Sequence, residues 1–359
     1  MKAVRIHAFG GPEVLSIDQV PSPQPLDDEV VLRVRAASVN PIDYKTREGS
    51  VSETLPITLG RDVSGTVEIC GTRAHTLKKG DPLFAMLGHD RGGNAEYVVV
   101  KATEAAAKPD RLSHVEAAAV PLAGITAWQG LFDHGGLKSG QRVLIHGGAG
   151  GVGHLAIQLA KAAGAFVATT VSAEDVVFVR ELGADQTVDY KNQRFEEVVN
   201  AVDLVFDLIA GDTQDRSWDV LKPGGTLVST LSQPSQEKAN LRRARGVSYL
   251  AEPNAAHLAE IGRLIDAGKV TPFVLATYPL GEVAKAEERL ENEHVRGKIV
   301  LEVSAWRVGA SAVPLERVIR SAPRRRCPAG SETAPSACAP RLPNCACDVA
   351  EAPIAHRKG

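Results

Sequence analysis

Two textures of hydrophobic and polar spacing divide the chain. Over residues 1 to about 120, apolar and polar residues alternate in short runs. EVVLRVRAASVN, TLGRDVSGTVEIC and AEYVVV are separated by turn text such as Gly10-Gly11-Pro12 and Gly92-Gly93. Period-two runs with this punctuation predict a partly open β-barrel. An Ala-rich stretch with helical spacing begins near Val115 and is interrupted at Pro121. From Gln141 onward the pattern switches between buried strands and amphipathic helices. RVLIH precedes the helical VGHLAIQLAKAAG, which ends at Gly164; FVATTV precedes EDVVFVREL, stopped by Gly183. TVDY, DLVFDL, TLVSTL and VSYL supply further strands, and WDVL reads as helical before the Pro223-Gly224-Gly225 turn. Alternating βα units predict a parallel sheet covered on both faces. After the helix HLAEIGRLIDAG, residues 271–303 return to strand text: ATYPL, a helix around Glu282 to Asn292, then KIVLEV. The predicted fold class is α/β: a doubly wound Rossmann domain at 121–270, and a barrel-like domain at 1–120 completed by 271–303.

A chain of 359 residues suits two domains better than one core. Its net charge of −2 argues against nucleic acid or an anionic membrane as a partner. No apolar run approaches the roughly 20 residues that span a bilayer. The opening MKAVRIHAFGGPEVL reads as a first strand rather than a secretory signal, so a cytoplasmic location is expected. The average charge conceals a break. Residues 304–359 carry nine Lys and Arg against four Asp and Glu, seven of the 21 prolines and four of the five cysteines. That tail is +5 and leaves −7 for the first 303 residues. Its composition predicts disorder. Cys345-Ala346-Cys347 lacks the spacing of a zinc knuckle, and Cys70 alone in the body reads as a small buried hydrophobe.

HGGAGGVGHLAIQLAKAAGA carries the most chemistry. Gly148, Gly150 and Gly153 form G-x-G-x-x-G between a strand and an amphipathic helix, with Gly151 and Val152 completing the loop. The first glycine permits the turn, the second lets the backbone approach a pyrophosphate, and the third lets helix pack on sheet. The helix N-terminus then offers N–H groups and a positive dipole end to the phosphates. The second strand ends Thr169-Thr170-Val171-Ser172, with no carboxylate before Glu174 and Asp175. Thr170 and Ser172 can donate to a 2′-phosphate, which favours NADPH; no Lys or Arg sits in that loop, which keeps NADH as the alternative.

Taken in order, MKAVRIHAFGGPEVL, ASVNPIDYKTREG, LPITLGRDVSGTV, EAAAVPLAGITAWQGLF, VLIHGGAGGVGHLAIQLAK, LGADQTVDY, LKPGGTLVS and HVRGKIVLEV run from Met1 to about Val303. With them the chain resembles the zinc-independent quinone oxidoreductase branch of the medium-chain dehydrogenase/reductase family. The resemblance implies a GroES-like catalytic domain, a Rossmann domain, a homodimer, and NAD(P)H-dependent reduction of quinones or activated enones. Zinc-dependent members carry a Cys in the second of these motifs and Gly-His-Glu in the third. Here the text is Asn40-Pro41-Ile42-Asp43 and Gly60-Arg61-Asp62, so no zinc and no other metal is expected. Without a Lewis acid, the accessible chemistry is hydride delivery to a substrate that is already electrophilic. An enoyl-thioester reductase is the alternative enzyme, and a non-catalytic NADPH-binding regulatory or scaffold protein the alternative of another class.

The resemblance also names candidate residues. Asn40, Asp43 and Tyr44 occupy the active-site motif. Asn40 can bond the substrate carbonyl or the cofactor, and Tyr44 can donate to the developing oxyanion. Asp43 can orient its neighbours or cap the helix after Pro41. Lys45 and Arg47 read as a solvated face, with assistance to phosphate binding as the alternative, and Arg61 as a cofactor or substrate contact or an ion pair with Asp62 or another carboxylate. Thr126 resembles a threonine near the nicotinamide, with helical back-bonding as the structural alternative. Tyr190 resembles a tyrosine near the adenosine phosphate, and Lys298 a lysine near the cofactor cleft. Ala210 and Leu231 end consecutive strands, where backbone contacts to nicotinamide are expected. His146 and His154 read as strand-end and helix-surface residues.

Overall fold

The computed structural model describes residues 1–51 and 54–303; the reading of 304–359 as a disordered tail lies outside the described residues. The amino-terminal part contains β1 (Lys2–Ile6), β2 (Leu15–Gln19), β3 (Glu29–Val39), α1 (Pro41–Arg47), β4 (Ile57–Thr58), β5 (Asp62–Cys70), β6 (Pro82–Met86), β7 (Tyr97–Lys101) and β8 (Ala105–Ala107). Two short helices follow, α2 (His114–Ala118) and α3 (Pro121–Trp128). The break between them falls at Pro121, which occupies the first turn of α3, where its missing N–H costs nothing.

The second part is β9 (Arg142–His146), α4 (Gly153–Ala162), β10 (Phe166–Val171), α5 (Val176–Glu181), β11 (Gln186–Asp189), α6 (Phe195–Val198), β12 (Val202–Asp207), α7 (Gly211–Ser217), β13 (Leu221–Ser229), α8 (Gln236–Leu241), β14 (Arg245–Ser248) and α9 (Ala255–Asp266). Its six strands are all parallel in the order β11-β10-β9-β12-β13-β14. The order reverses between β10–β9 and β12, so a crevice opens at the carboxyl ends of β9 and β12. The helical turn expected at WDVL lies earlier, at α7. Pro223-Gly224-Gly225 lies within β13, where the register with β12 shifts.

The chain then returns to the first part through β15 (Val274–Pro279), α10 (Val283–Asn292) and β16 (Lys298–Glu302). β16 pairs antiparallel with β3, extending a seven-stranded sheet that also holds β5, β6, β7 and β8. This pairing matters for the site. It sets Ile299 opposite Val39 and brings Lys298 beside Asn40, residues 258 apart in sequence. Val34, Val39, Val63, Leu83, Ile299 and Leu301 belong to the barrel core; a second core of α3, α4, β9, β12 and α9 side chains fills one face of the parallel sheet.

Candidate active site

Among the described residues, the crevice at the switch point opens as a large cleft of about 1010 Å³. One wall is the glycine loop. A methyl group on Gly153 would lie 2.2 Å from Gly147 O, and one on Gly148 would lie 2.0 Å from Thr169 Oγ1. Those two glycines let helix and sheet close on each other. At Gly150 an added methyl would meet only Gly147 O, at 3.5 Å, so its bareness serves the cleft rather than the fold. The loop is a cradle that a Cβ would fill from the ligand side, as a pyrophosphate requires. Gly150, Gly151, Val152 and Gly153 all line it, and the residues present fit a dinucleotide.

Two histidines hold the loop in place. Ser217 donates its hydroxyl to Thr213 O at 2.6 Å, so it accepts from His146 Nε2–H at 2.9 Å. His146 Nδ1 then accepts from the Thr170 hydroxyl at 3.0 Å. Thr170 lines the cleft, but its proton is committed to His146. His154 is fully buried, contrary to the expected helix surface, because α4 is enclosed by the sheet, α3 and the returning segment. Its Nδ1–H donates to Gly150 O at 3.0 Å, and its Nε2 accepts from Phe273 N at 3.2 Å. Burial pushes both rings down to about 4, so they stay neutral.

The opposite wall is a buried polar floor. Asn40 and Asp43 form a capping box on α1: Asp43 Oδ2 accepts from Asn40 N at 2.8 Å, and Oδ1 from Gly60 N at 3.2 Å. Asp43 therefore caps and orients, as read, and does not line the cleft. Burial first, then neighbouring Asp62, pushes its carboxyl up to about 6. Asp62 is fully buried; it accepts from Ser38 Oγ at 2.6 Å, Asn40 Nδ2 at 2.8 Å and Leu122 N at 2.6 Å. Lys298 Nζ donates to Val39 O at 3.1 Å, to Asn40 Oδ1, and at 3.4 Å to Asp62 Oδ2. Both ends of the Asn40 carboxamide are thus engaged inside the protein. Lys298, expected as a cofactor contact, lines the cleft but directs its ammonium into this floor.

Other expected residues fall differently. Tyr44 does not line the cleft; burial first, and then Glu291 and Glu48, push its phenol above its ordinary value, which makes it a poorer acid. Arg61 turns away from Asp62, donating to Leu87 O at 2.7 Å and contacting His89 at 2.8 Å. The Thr126 hydroxyl back-bonds Leu122 O at 2.6 Å and lies outside the cleft lining. Tyr190 and Leu231 line the cleft; Ala210 stands just behind it, beside lining residue Ile209. Ala210 has φ +67°, and Asp207 braces that turn by accepting from Ile209 N and Ala210 N at 3.0 and 2.9 Å. Asp207 also accepts from Ser229 Oγ at 2.9 Å, tying together the strand ends on which Leu231 sits. The carboxylate at the end of DLVFDL is a signal that the sequence reading passed over.

At the outer end of the cleft, Ser172 donates to Glu174 at 3.1 Å and Asp175 at 3.0 Å. Asp175 is fully buried and bound by His294 Nε2 at 2.5 Å and Arg296 Nε at 2.8 Å. Glu174, Asp175 and His294 are the one group of potential metal ligands among the described residues, and the Arg296 guanidinium already occupies Asp175. The cationic groups absent from the second-strand loop are supplied instead from the returning segment.

Comparison with known proteins agrees with this architecture. Residues 26–110 match the alcohol dehydrogenase GroES-like domain family, and residues 182–301 the zinc-binding dehydrogenase family. The mitochondrial NAD(P)H oxidoreductase RTN4IP1 of Danio rerio is 36% identical over 326 residues, covering 77% of this chain and 84% of that protein. The chloroplastic NADPH-dependent alkenal/one oxidoreductase of Arabidopsis thaliana is 34% identical over 316 residues, covering 84% of this chain and 79% of that protein. The solved quinone oxidoreductase from Coxiella burnetii aligns with TM-score 0.79 and 38% identity, over 85% of this chain and 99% of that one. The second family name implies zinc. The floor does not fit such an ion, since Asn40, Arg61 and Asp62 stand at the ligand motifs, Asn40 and Asp62 bond each other at 2.8 Å, and the Lys298 ammonium bonds both.

Proposed function

The chain belongs to the medium-chain dehydrogenase/reductase family, and from that premise we propose that it is a zinc-independent, NADPH-dependent reductase of quinones and α,β-unsaturated carbonyls. The observation that carries the reading is the cleft itself, with a dinucleotide cradle on one wall and a metal-incompatible polar floor on the other. When bound, the cofactor supplies a hydride to an electrophilic carbon. The chain's part is to bring donor and acceptor together and exclude water, which Leu122, Ala123, Ile209 and Leu231 along the cleft do. In a quinone or enone the acceptor's own conjugation takes up the electron pair, so no Lewis acid is needed. The product then takes its proton from water, because Asn40 is spent internally and His146 is locked neutral.

The preference for NADPH rests on the end of β10, where Ser172 stands in place of a ribose-binding carboxylate. Of the two acidic residues that follow, exposed Glu174 lies 3.9 Å from Lys191, and buried Asp175 is paired with Arg296 and His294. The same reading includes a homodimer in the cytoplasm, for which sedimentation and cell fractionation are the direct tests. Among the described residues, no helix is long and apolar enough to cross a membrane. The functional test is oxidation of NADPH and NADH with p-benzoquinone, methyl vinyl ketone and an enoyl thioester, with and without a zinc chelator. Chelator-insensitive turnover of the first two acceptors, faster with NADPH, is expected. Alcohol oxidation abolished by the chelator, or NADPH binding without acceptor-dependent oxidation, would overturn the proposal.

A further inference from the structure

The floor of the cleft holds an enclosed charge pair. Asp62 is fully buried, and Lys298 is 4% exposed. Around the Lys298 nitrogen stand three oxygens, Val39 O, Asn40 Oδ1 and Asp62 Oδ2, all acceptors. A neutral amine would turn its lone pair against one of them; an ammonium satisfies all three. The other charged or titratable groups facing this cluster are Asp43, which burial pushes up to about 6, His154, which burial pushes down to about 4, and Arg61. Neutral His154 adds no positive charge, and the Arg61 guanidinium is directed to Leu87 O and His89. Lys298 is therefore the cation that directly balances Asp62.

Asn40 and Asp62 belong to the two motifs that carry the metal site in zinc-dependent members of the family, Asp62 at the position of the glutamate that follows the histidine, and Lys298 binds both. We propose that Lys298 is the internal cation of this active site, a positioning residue that fixes Asn40 and cancels the charge of Asp62 beneath the hydride acceptor. This inference rests on the reductase reading above. Addition of a hydride to an enone or quinone moves a negative charge onto the acceptor's oxygen until water protonates it. A bare Asp62 carboxylate in the same low-dielectric wall would oppose that charge and slow the step. With its ammonium donors directed to Val39, Asn40 and Asp62, Lys298 acts through the floor rather than as a cofactor ligand.

The test compares Lys298→Met, Lys298→Arg and the charge-balanced pair Lys298→Met/Asp62→Asn with the unsubstituted enzyme. Turnover uses p-benzoquinone and methyl vinyl ketone, and NADPH affinity is read by fluorescence titration. Lys298→Met is expected to lose about 100-fold in kcat, with NADPH Kd changed by less than about threefold. Lys298→Arg should retain at least about a tenth of kcat, and the double variant should recover to within about tenfold. A purely structural lysine would lower the melting temperature but leave kcat of the folded variant unchanged, which overturns the inference. A loss confined to NADPH Kd would make Lys298 a cofactor ligand and overturn it equally. Should Lys298→Met not fold, the double variant decides: recovered kcat upholds the proposal, and a loss of about 100-fold or more refutes it. If the unsubstituted enzyme binds NADPH but oxidises it with neither acceptor, the reductase reading fails first and this inference with it.

Discussion

Arg47 and Glu287 meet as a fully buried ion pair, Nε to Oε2 at 2.7 Å, although 240 residues separate them. Arg47 also bonds Gly10 O at 2.7 Å and pairs with Glu291, so one guanidinium joins α1, α10 and the first turn of the barrel. Glu287 Oε1, by contrast, has no hydrogen-bond partner. Burial first, and then nearby Asp43, push this carboxyl up to about 7 against the pull of Arg47. An acid whose folded value exceeds its ordinary 4.5 adds stability at low pH and loses it as pH rises through about 7. Lowering the pH from about 7 to about 5 should therefore stabilise the wild type relative to Glu287→Gln, by on the order of 2 kcal/mol. Urea midpoints of the two proteins across that range measure it, and a constant difference would refute it.

His154 predicts the opposite slope. Its ring is locked neutral between Gly150 O and Phe273 N, and burial lowers it from 6.5 to about 4. A base lowered on folding contributes stability above its ordinary value and loses it as pH falls toward the folded one. Relative to His154→Gln, which has an amide able to meet both partners, the wild type should lose stability between pH 6.5 and about 4. The loss should be on the order of 3 kcal/mol. Matched unfolding curves would show the two wild-type-minus-variant differences, for Glu287 and His154, running in opposite directions.

The glycine loop separates folding from binding. At Gly153, an added methyl would press on Gly147 O at 2.2 Å and Gly148 Cα at 2.7 Å, both backbone atoms that cannot step aside. Gly153→Ala should cost about 2 kcal/mol or more in stability. Gly150 has no left-handed φ, and its methyl would meet ordinary contact at 3.5 Å. Gly150→Ala should leave stability within about 0.5 kcal/mol while weakening NADPH binding about tenfold or more. Melting curves paired with fluorescence titration distinguish the two, and a Gly150→Ala protein with unchanged NADPH affinity would remove that glycine from the pyrophosphate path.

Much of this architecture was legible because it is local. The β9–loop–α4–β10 unit shows in glycine spacing and period, and the α1 capping box lies in four consecutive residues, Asn40 to Asp43. What sequence reading missed depends on partners distant in the chain. Arg47 looked solvated, yet it meets Glu287 and Glu291, which lie four apart on α10 and 240 or more residues away in the chain. His154 looked exposed because one polar residue in an amphipathic helix ordinarily faces water, whereas α4 is buried on every side from Gly153 to Ala160. Lys298 enters the floor through the β16–β3 register, which no local pattern specifies.

Cofactor preference should turn on Asp175. The strand-end hydroxyl of Ser172, which lines the cleft, donates to Asp175 Oδ2 at 3.0 Å. Burial raises this carboxyl, but hydrogen bonds from His294, Arg296 and Ser172 outweigh it and hold it below its ordinary value, so it is charged at neutral pH. A 2′-phosphate placed against Ser172 would feel that charge, whereas the neutral 2′-hydroxyl of NADH would feel little of it. Arg296 is meanwhile committed to Asp175, with Nη2 at 2.7 Å from Oδ1. In Asp175→Asn the repulsion disappears and the Arg296 guanidinium is released to pair with the phosphate. The ratio of NADPH to NADH affinity should rise about tenfold, or roughly 1.4 kcal/mol, with kcat for either cofactor little changed. Parallel titrations with the two cofactors at fixed ionic strength read the ratio directly. A ratio that stays level or falls would show that the Asp175–Arg296 pair itself, rather than the freed arginine, makes the recess for the phosphate.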